Sequence, residues 1–356
     1  MALFPPQVRD WALPSEAPLT PKAFSRALRE SVEKTYGPAV RALNEDWGVC
    51  LDAKELERWN VRAGGRLVRE RDATVAASEQ GRLPPTAANA PALLVIGLDG
   101  GRVQMREQDA ETESRWKEDK ILTVTSYLKG DGKEREPEAL VSTYAATMGN
   151  AEAFGPIARV EAERRQWTQA REVIVLSDMG NWIDPLVGRE FKKIHQRIAD
   201  WSHAKEHLHD VARATQRGQN TPAASALAER WSTWLWEGQV RKIIPELQAW
   251  SKILGPPRKQ DGPEHPRRVL QQNAGYFERS QQYMNYPAYR AKGWPIGSGN
   301  VESGVKLFNK RVKGTEQFWQ PEGIEAMLNL RALYLSGGER WSNYWRSRPA
   351  YEKRAA

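Results

Sequence analysis

Two short apolar runs, each followed at once by an aspartate, limit the folds open to this chain. The run LLVIGLD ends at Asp99, and the run VIVLSD ends at Asp178. Runs of this length that are rich in Val, Ile and Leu are typical of strands buried in a sheet. We interpret PALLVIGLDGGRVQMRE as two strands joined by a tight turn at Gly100–Gly101, which places Asp99 at the end of the first strand.

Further strand and helix signals extend these two runs into an α/β series. KILTVTSYLKG and EALVSTYAAT each predict a strand, and the charged segment 108–120 is typical of a solvated hairpin loop. An amphipathic helix is predicted over 150–170, and the segment 189–200 predicts a short strand that ends at Asp200. The order of elements predicts an α/β fold, with a mixed sheet flanked by helices.

Helical patterns surround this series and suggest a domain order. Residues 1–90 form an N-terminal helical region, with a break at Gly64 and Gly65, which either binds DNA ends or caps the core. Residues 91–200 hold the sheet, and residues 201–290 are helical throughout, which indicates an inserted all-helical domain. Residues 291–346 supply closing helices, and residues 347–356 form a basic tail.

Charge and cysteine content narrow the function. The formal net charge of +8 indicates an anionic partner, with nucleic acid as the leading candidate. Cys50 is the only cysteine, which excludes an internal disulfide framework and a cysteine-rich zinc site. No apolar run approaches the roughly 20 residues that span a bilayer, and the N-terminus lacks the pattern of a signal peptide. We therefore expect a cytoplasmic protein without a membrane partner.

The segment 294–314, WPIGSGNVESGVKLFNKRVKG, predicts a helix that carries one acid in its first turn. Ser298 or Asn300 can cap this helix, and the positive end of its dipole favours an ionised Glu302. Basic residues follow, three of them lysines at helical spacing on the face of Glu302. We expect phosphate contacts from Lys306, Lys310, Arg311 and Lys313.

Three acids therefore stand at the ends of predicted elements: Asp99, Asp178 and Glu302. Carboxylates gathered in one cluster raise each other's pKa unless a cation joins them. Mg²⁺ is bound by a few carboxylates together with phosphate oxygens and water, and paired ions of this kind serve phosphodiester chemistry. The sequence predicts a Mg²⁺ site, with Mn²⁺ as a substitute.

Several segments carry a resemblance to a known family. They are LVIGLDGGRV, VLSDMGNWI, IADWSHAKEHL, YPAYRAKGWPIGSGNVESGVKLFNKRVKGTEQFW and MLNLRALYLSGGERWSNYW, within residues 92–346. This pattern resembles the DDE transposases of bacterial insertion sequences, in the ISKra-type branch that is related to Mutator-like transposases. The resemblance implies a ribonuclease-H-like catalytic domain that an all-helical insertion interrupts before the third acid.

The same resemblance implies roles for individual residues. Asp99, Asp178 and Glu302 would form the metal-binding triad, and Asp200 and His203 would match a supporting D-x-x-H element. The implied activity is cleavage and transfer of double-stranded DNA at element ends, by a homo-oligomer associated with the nucleoid. This chain departs from the family pattern after the second acid.

Met179 stands where the family pattern has a glycine, so Asp200 remains an alternative second acid to Asp178.

Other functions remain open at this point. The chain could be a transposase descendant that binds DNA without catalysis, or a ribonuclease-H-like nuclease without strand transfer. The run from His203 to His207 also fits the H-x-x-E-H motif of inverted zinc peptidases, which would need a third ligand downstream. Ser298 lies between glycines but lacks the spacing of a nucleophile elbow, so we interpret it as a helix cap.

Overall fold

The structure, a computed structural model, describes residues 21–48, 50–83, 90–110, 112–297, 299–314, 317–337 and 339–347. Side chains at positions 21 and 300–302 are outside this description. The predicted cap Ser298, the side chain of Glu302 and the predicted tail after residue 347 therefore lie outside the described residues.

A single five-stranded sheet lies at the centre of the fold, with the strand order β3-β2-β1-β4-β5. β1, β2 and β3 form an antiparallel meander, and β4 and β5 continue the sheet in parallel with β1. This order and these directions define a ribonuclease-H-like fold, which confirms the predicted fold class. The strands are β1 (Leu93–Gln104), β2 (Trp116–Leu128), β3 (Glu138–Thr147), β4 (Glu172–Ser177) and β5 (Gln196–Ala199).

Helices precede, flank and follow the sheet. Three come first: α1 (Pro21–Glu33), α2 (Tyr36–Trp47) and α3 (Ala53–Glu79). Two lie between strands: α4 (Ala151–Arg164) and α5 (Ile183–Glu190). Five follow β5: α6 (Trp201–Thr215), α7 (Pro222–Trp236), α8 (Val240–Leu254), α9 (Pro266–Ser280) and α10 (Tyr286–Ala291). Three more follow in the described part of the chain: α11 (Gly299–Val312), α12 (Pro321–Leu335) and α13 (Arg340–Arg346). Within the described part of the chain, no helix has the length and apolar character needed to cross a membrane.

The two faces of the sheet bury different helices. Leu94, Ile96 and Leu98 of β1 face α4 and α5 on one side. Leu93 and Val95 face the helices that follow β5 on the other side, where Trp231 of α7 belongs to the same apolar cluster. The helices of residues 201–290 therefore share a core with the sheet, and their status as a separate inserted domain stays a prediction.

The glycine pair at positions 100 and 101 does not form the predicted turn. β1 continues through both residues and pairs with β2 along its whole length. A β-carbon on Gly100 would lie 2.6 Å from Oε1 of Glu118, and one on Gly101 would lie 2.5 Å from Oδ1 of Asp119. The glycines thus make room for side chains of β2, and Asp99 lies inside a strand rather than at its end. The predicted loop 108–120 is also shorter, because β2 begins at Trp116.

The predicted break at Gly64 and Gly65 is absent as well, because α3 is one helix of 27 residues. Gly64 lies at the contact between α3 and α12, where an added β-carbon would lie 2.4 Å from the carbonyl oxygen of Ala326. The described N-terminal helices share a buried apolar cluster with β1, α11 and α12. This packing is that of a helical cap, while binding of DNA ends by the region stays a prediction.

Alanine at these two neighbouring glycines should have opposite effects on stability. Gly64→Ala should lower the free energy of unfolding by about 1–3 kcal/mol, because overpacking against Ala326 outweighs the helix propensity of alanine. Gly65→Ala should raise it by about 0.4–1 kcal/mol, because its β-carbon would meet only Arg69, at 3.8 Å. Urea denaturation of both variants measures the difference. Equal effects of the two substitutions would contradict the close contact between α3 and α12.

Candidate active site

The parallel pairing of β1 with β4 places two of the predicted acids side by side. Leu98 and Ser177 are the last residues that these strands pair, and Asp99 and Asp178 are the next residue on each. The backbone N–H of Asp200 donates to the carbonyl oxygen of Ser177 at 2.8 Å, so the end of β5 joins the same edge. The structure therefore brings Asp99, Asp178 and Asp200 to one end of the parallel strands.

The charges of these acids affect one another. Burial, followed by the nearby charge of Asp178, raises the pKa of Asp99 to about 6. Asp200 raises the pKa of Asp99 further, whereas His203 and the N–H of Gly100 lower it. The mutual repulsion of Asp99 and Asp178 is the state that a bound cation would relieve.

Asp178 and Asp200 differ in exposure and in contacts. Asp178 is half-buried, and its Oδ1 accepts a hydrogen bond from the N–H of Gly180 at 2.9 Å. Asp200 is fully buried, and its Oδ1 accepts from the N–H of Ser202 at 2.7 Å, which caps the first turn of α6. A partly exposed carboxylate can reach a substrate, whereas a buried cap holds a helix in place. The geometry favours Asp178 over Asp200 as the second acid.

Met179 takes the backbone conformation that a glycine at this position would adopt easily. Its φ is 63°, in the left-handed region that side chains disfavour. The Oγ of Ser177 accepts from the N–H of Met179 at 3.4 Å and lies 3.5 Å from its sulfur. These contacts hold the turn that follows Asp178 after β4.

A cleft of about 1020 Å³ opens beside Asp178, between the turn after β4 and helices α6 and α9. Its lining includes the polar side chains of Asp178, Asn181, His207, Arg213, Asn273 and Arg279. A cleft of this size, with one of the acids at its wall, can admit a segment of a polar ligand.

The H-x-x-E-H run lies on α6, and its residues point to separate surroundings. The ring of His207 lies 4.3 Å from the ring of Tyr276, and burial lowers the pKa of His207. Glu206 is exposed, and its carboxylate lies 3.7 Å from Nδ1 of His203. Among the side chains that the structure describes, no three His, Cys, Asp or Glu residues form a group that could hold a metal ion. The described geometry therefore lends no support to a zinc peptidase site.

The helix that contains position 302, α11, packs against β1 and β2. The carbonyl oxygen of Ile296, just before α11, accepts from the N–H of Trp201 at 2.9 Å. Gly304 lies against β2, where an added β-carbon would be 3.1 Å from Cγ2 of Thr123. Thr123 pairs with Gly97, two residues before Asp99. The first turn of α11 thus runs from the end of β5 onto β1 and β2, although the side chain of Glu302 itself lies outside the described residues.

The basic residues of α11 fall into two groups. Lys306, Lys310 and Lys313 are exposed, in agreement with the predicted basic stripe, although contact with DNA stays a prediction. Arg311 is only 2% exposed, and its Nε donates to the carbonyl oxygen of Ser31 at 2.6 Å. This burial argues against the prediction that Arg311 contacts phosphate.

Arg311 has a structural partner in Arg331 of α12. Arg331 donates to the carbonyl oxygen of Val32, and its Nε donates to that of Leu307 at 2.9 Å. Ser31 and Val32 lie in the last turn of α1, which has no basic residue of its own. Cations near the carboxyl end of a helix satisfy its free carbonyls and complement its dipole. The two arginines therefore join α11 and α12 to the N-terminal cap.

One buried acid on the same sheet face was missed by the sequence reasoning. Asp119 is fully buried opposite Gly101, on the face that carries Asp99. Burial raises the pKa of Asp119 to about 6, an increase that its neighbour Glu118 supports and that Lys120 and Lys313 oppose. Asp119 could not be recognised from the sequence, because it lies in a charged segment that is typical of a loop.

Replacing Arg311 should lower the stability of the fold rather than remove a charge from a binding surface. Arg311→Met should lower the free energy of unfolding by about 1–3 kcal/mol, because it leaves the carbonyl of Ser31 without its buried donor. Lys310→Met, at the exposed neighbouring position, should change it by less than about 0.5 kcal/mol. Urea denaturation compares the two variants. If both proved equally mild, the anchoring role of Arg311 would be refuted.

Asp119 should make stability depend on pH in an acidic window. Because its folded-state pKa of about 6 lies above its ordinary value of 3.8, ionisation of this group opposes folding increasingly as the pH rises between those values. Asp119→Asn cannot ionise, so its stability relative to the natural protein should increase by about 2–3 kcal/mol from pH 4 to pH 7. Denaturant unfolding at several pH values measures this difference, and a constant difference would show that Asp119 does not titrate in this range.

Comparisons with known proteins include a similarity to a solved structure. The chain is similar to a solved structure described as the Drosophila P element transposase strand transfer complex, with 11% sequence identity and a TM-score of 0.38, over 91% of this chain and 94% of that chain. No protein-family profile matches the sequence, and no curated protein is significantly similar to it.

Proposed function

We propose that this protein is a DNA transposase that cuts DNA strands at the ends of a mobile element and joins them to target DNA. The observation that carries this proposal is the pairing of Leu98 with Ser177, which sets Asp99 and Asp178 side by side at the end of two parallel strands. These are the two strand acids that the sequence resemblance assigns to a DDE triad. The charge of Asp178 contributes to the raised pKa of Asp99, which supports a shared role.

Asp99 and Asp178 have the donor chemistry of a Mg²⁺ site. Both offer carboxylate oxygens, which Mg²⁺ or Mn²⁺ prefers, and the raised pKa of Asp99 reflects burial and a neighbouring negative charge. Glu302 would complete the donor set from the first turn of α11. When bound, the metal would activate the attacking oxygen and stabilise the leaving oxygen of the phosphodiester.

Other side chains would orient the site and its substrate. Asp200 holds the start of α6 through Ser202, and this positions His203 near Asp99. The exposed lysines of α11 would hold the phosphate backbone of double-stranded DNA beside the acids. Joining two element ends to one target would require a homo-oligomer on DNA, which is part of the proposal, as is a location in the cytoplasm at the nucleoid.

Neutral isosteres of the triad should abolish catalysis while leaving DNA binding intact. Asp99→Asn, Asp178→Asn and Glu302→Gln should each reduce strand transfer by about 10³-fold or more, because metal binding contributes several kcal/mol to the barrier reduction. Asp210→Asn is the matched control, since Asp210 lines the same cleft without belonging to the triad. A strand-transfer assay with end DNA and Mg²⁺, together with a binding assay, provides the measurement.

The outcomes of this assay separate the alternatives. Full activity in any triad variant would remove that acid from the proposed site. Binding of end DNA without nicking, in Mg²⁺ or Mn²⁺, would favour a DNA-binding protein that has lost catalysis. Cleavage of unrelated duplexes without joining would favour a ribonuclease-H-like nuclease.

The lysines of α11 should control the salt dependence of DNA binding. Each Lys→Gln change at positions 306, 310 and 313 should reduce the slope of log affinity against log salt by about 1, because one phosphate contact is lost. Lys252→Gln is the control, because Lys252 lies on α8 and not on α11, and this change should leave the slope unchanged. Binding measured across salt concentrations provides the test, and unchanged slopes at all three positions would place the DNA elsewhere.

A further inference from the structure

A second cavity lies at the edge of the sheet opposite β5. It has a volume of about 630 Å³ and is formed by β3 with α3, α4, α12 and α13. Its described lining includes none of the acids of the candidate active site. The charged lining residues are Glu70, Arg71, Glu161, Arg164, Arg165 and Arg340.

One buried carboxylate of this cavity is shared by two of its arginines. Glu161, which is 3% exposed, forms two 3.0 Å contacts with the guanidinium of Arg340. The same carboxylate lies 3.5 Å from Nη1 of Arg164. Arg71 is already paired with Glu325 at 2.5 Å. One buried carboxylate thus serves two arginines and has little capacity left for a third.

Arg165 is that third arginine. Its Nη2 donates to Oγ of Ser126 and to the carbonyl oxygen of Val141, which are both neutral acceptors. Its Nε is buried and has no acceptor among the described residues. Burial lowers the pKa of Arg165, and repulsion from Arg340 adds to this effect while attraction to Glu161 opposes it. The half-buried guanidinium therefore carries a positive charge without a direct ion-pair partner in the described part of the chain.

We propose that this cavity binds a phosphate group, held by Arg165 together with Arg164 and Arg340. Guanidinium groups present planar pairs of N–H donors that match phosphate oxygens, and such bonds are stronger than those to neutral acceptors. A dianion would supply the negative charge that Glu161 cannot provide alone. The cavity is larger than one phosphate. The bound phosphate group is therefore either a free phosphate ion with water molecules around it or part of a DNA backbone that enters the cavity beside β3.

This inference does not rest on the proposed transposase function, because the site lies apart from the acids and is tested without catalysis. Inorganic phosphate is titrated into the full chain at constant ionic strength, with chloride as the reference, since salt screens unspecific attraction. Calorimetry measures affinity, and thermal unfolding measures stabilisation. We expect saturable binding of phosphate that chloride does not reproduce. Unspecific stabilisation by both salts would overturn the proposal.

Two variants with opposite expected effects on phosphate affinity test the roles of Arg165 and Glu161. Arg165→Gln should weaken phosphate binding at least about tenfold, as expected for the loss of charged hydrogen bonds. Arg171→Gln removes the same charge from an exposed position outside the cavity and should leave the affinity unchanged. Glu161→Gln should tighten binding several-fold, because it frees Arg164 and Arg340 from a competing carboxylate.

An increase in affinity cannot arise from general loss of structure. If Arg165→Gln failed to fold, the Glu161→Gln result would decide, and an unchanged or weaker affinity there would overturn the proposal. A short DNA duplex added to the phosphate-bound protein distinguishes the two sources. If the duplex displaces phosphate from the natural protein but not from Arg165→Gln, the site binds a DNA backbone. If the duplex leaves phosphate binding unchanged, the site binds free phosphate.

Discussion

The parallel pairing of β1 with β4 is the constraint on which the candidate site depends. It ends at Leu98 and Ser177, and the next residue of each strand is an aspartate. Burial, followed by the neighbouring charge of Asp178, raises the pKa of Asp99, because both disfavour its ionised state. Ordinary folding gains nothing from this repulsion, whereas a site that binds a cation uses it. The position of α11 across β1 and β2 then determines where a third acid can arrive.

The sequence was informative wherever structure follows from local pattern. Apolar runs gave the buried strands, and the acids that follow them could be named because the ends of parallel strands share an edge. The same approach failed at Gly100 and Gly101, since paired glycines usually mark a turn. Their actual role, to leave space for Glu118 and Asp119 on the neighbouring strand, depends on cross-strand register and has no signature within β1 itself.

Arg311 shows a second limit of sequence reasoning. Helical spacing places lysines on one exposed face, but it cannot reveal that an arginine one position along meets a carbonyl 280 residues earlier in the chain. Asp119 was hidden for a related reason, because a buried acid inside a charged run looks like every other member of that run. In both cases the residue that contacts the buried side chain is distant from it in sequence. A helpful signal exists only for Arg311, which adjoins the apolar residues Phe308 and Val312 on the helix surface.

The anchoring of α1 by Arg311 and Arg331 has a consequence for how the chain is made. The carbonyls at the end of α1 are synthesised 280 and 299 residues before the arginines that bind them. Contacts between such distant segments slow folding, because the loop between them must close first. The cap must therefore remain incomplete until α11 and α12 have been synthesised, and until then it exposes the apolar surface that it later shares with them. A nascent chain of this kind has reason to need a chaperone until α11 and α12 emerge.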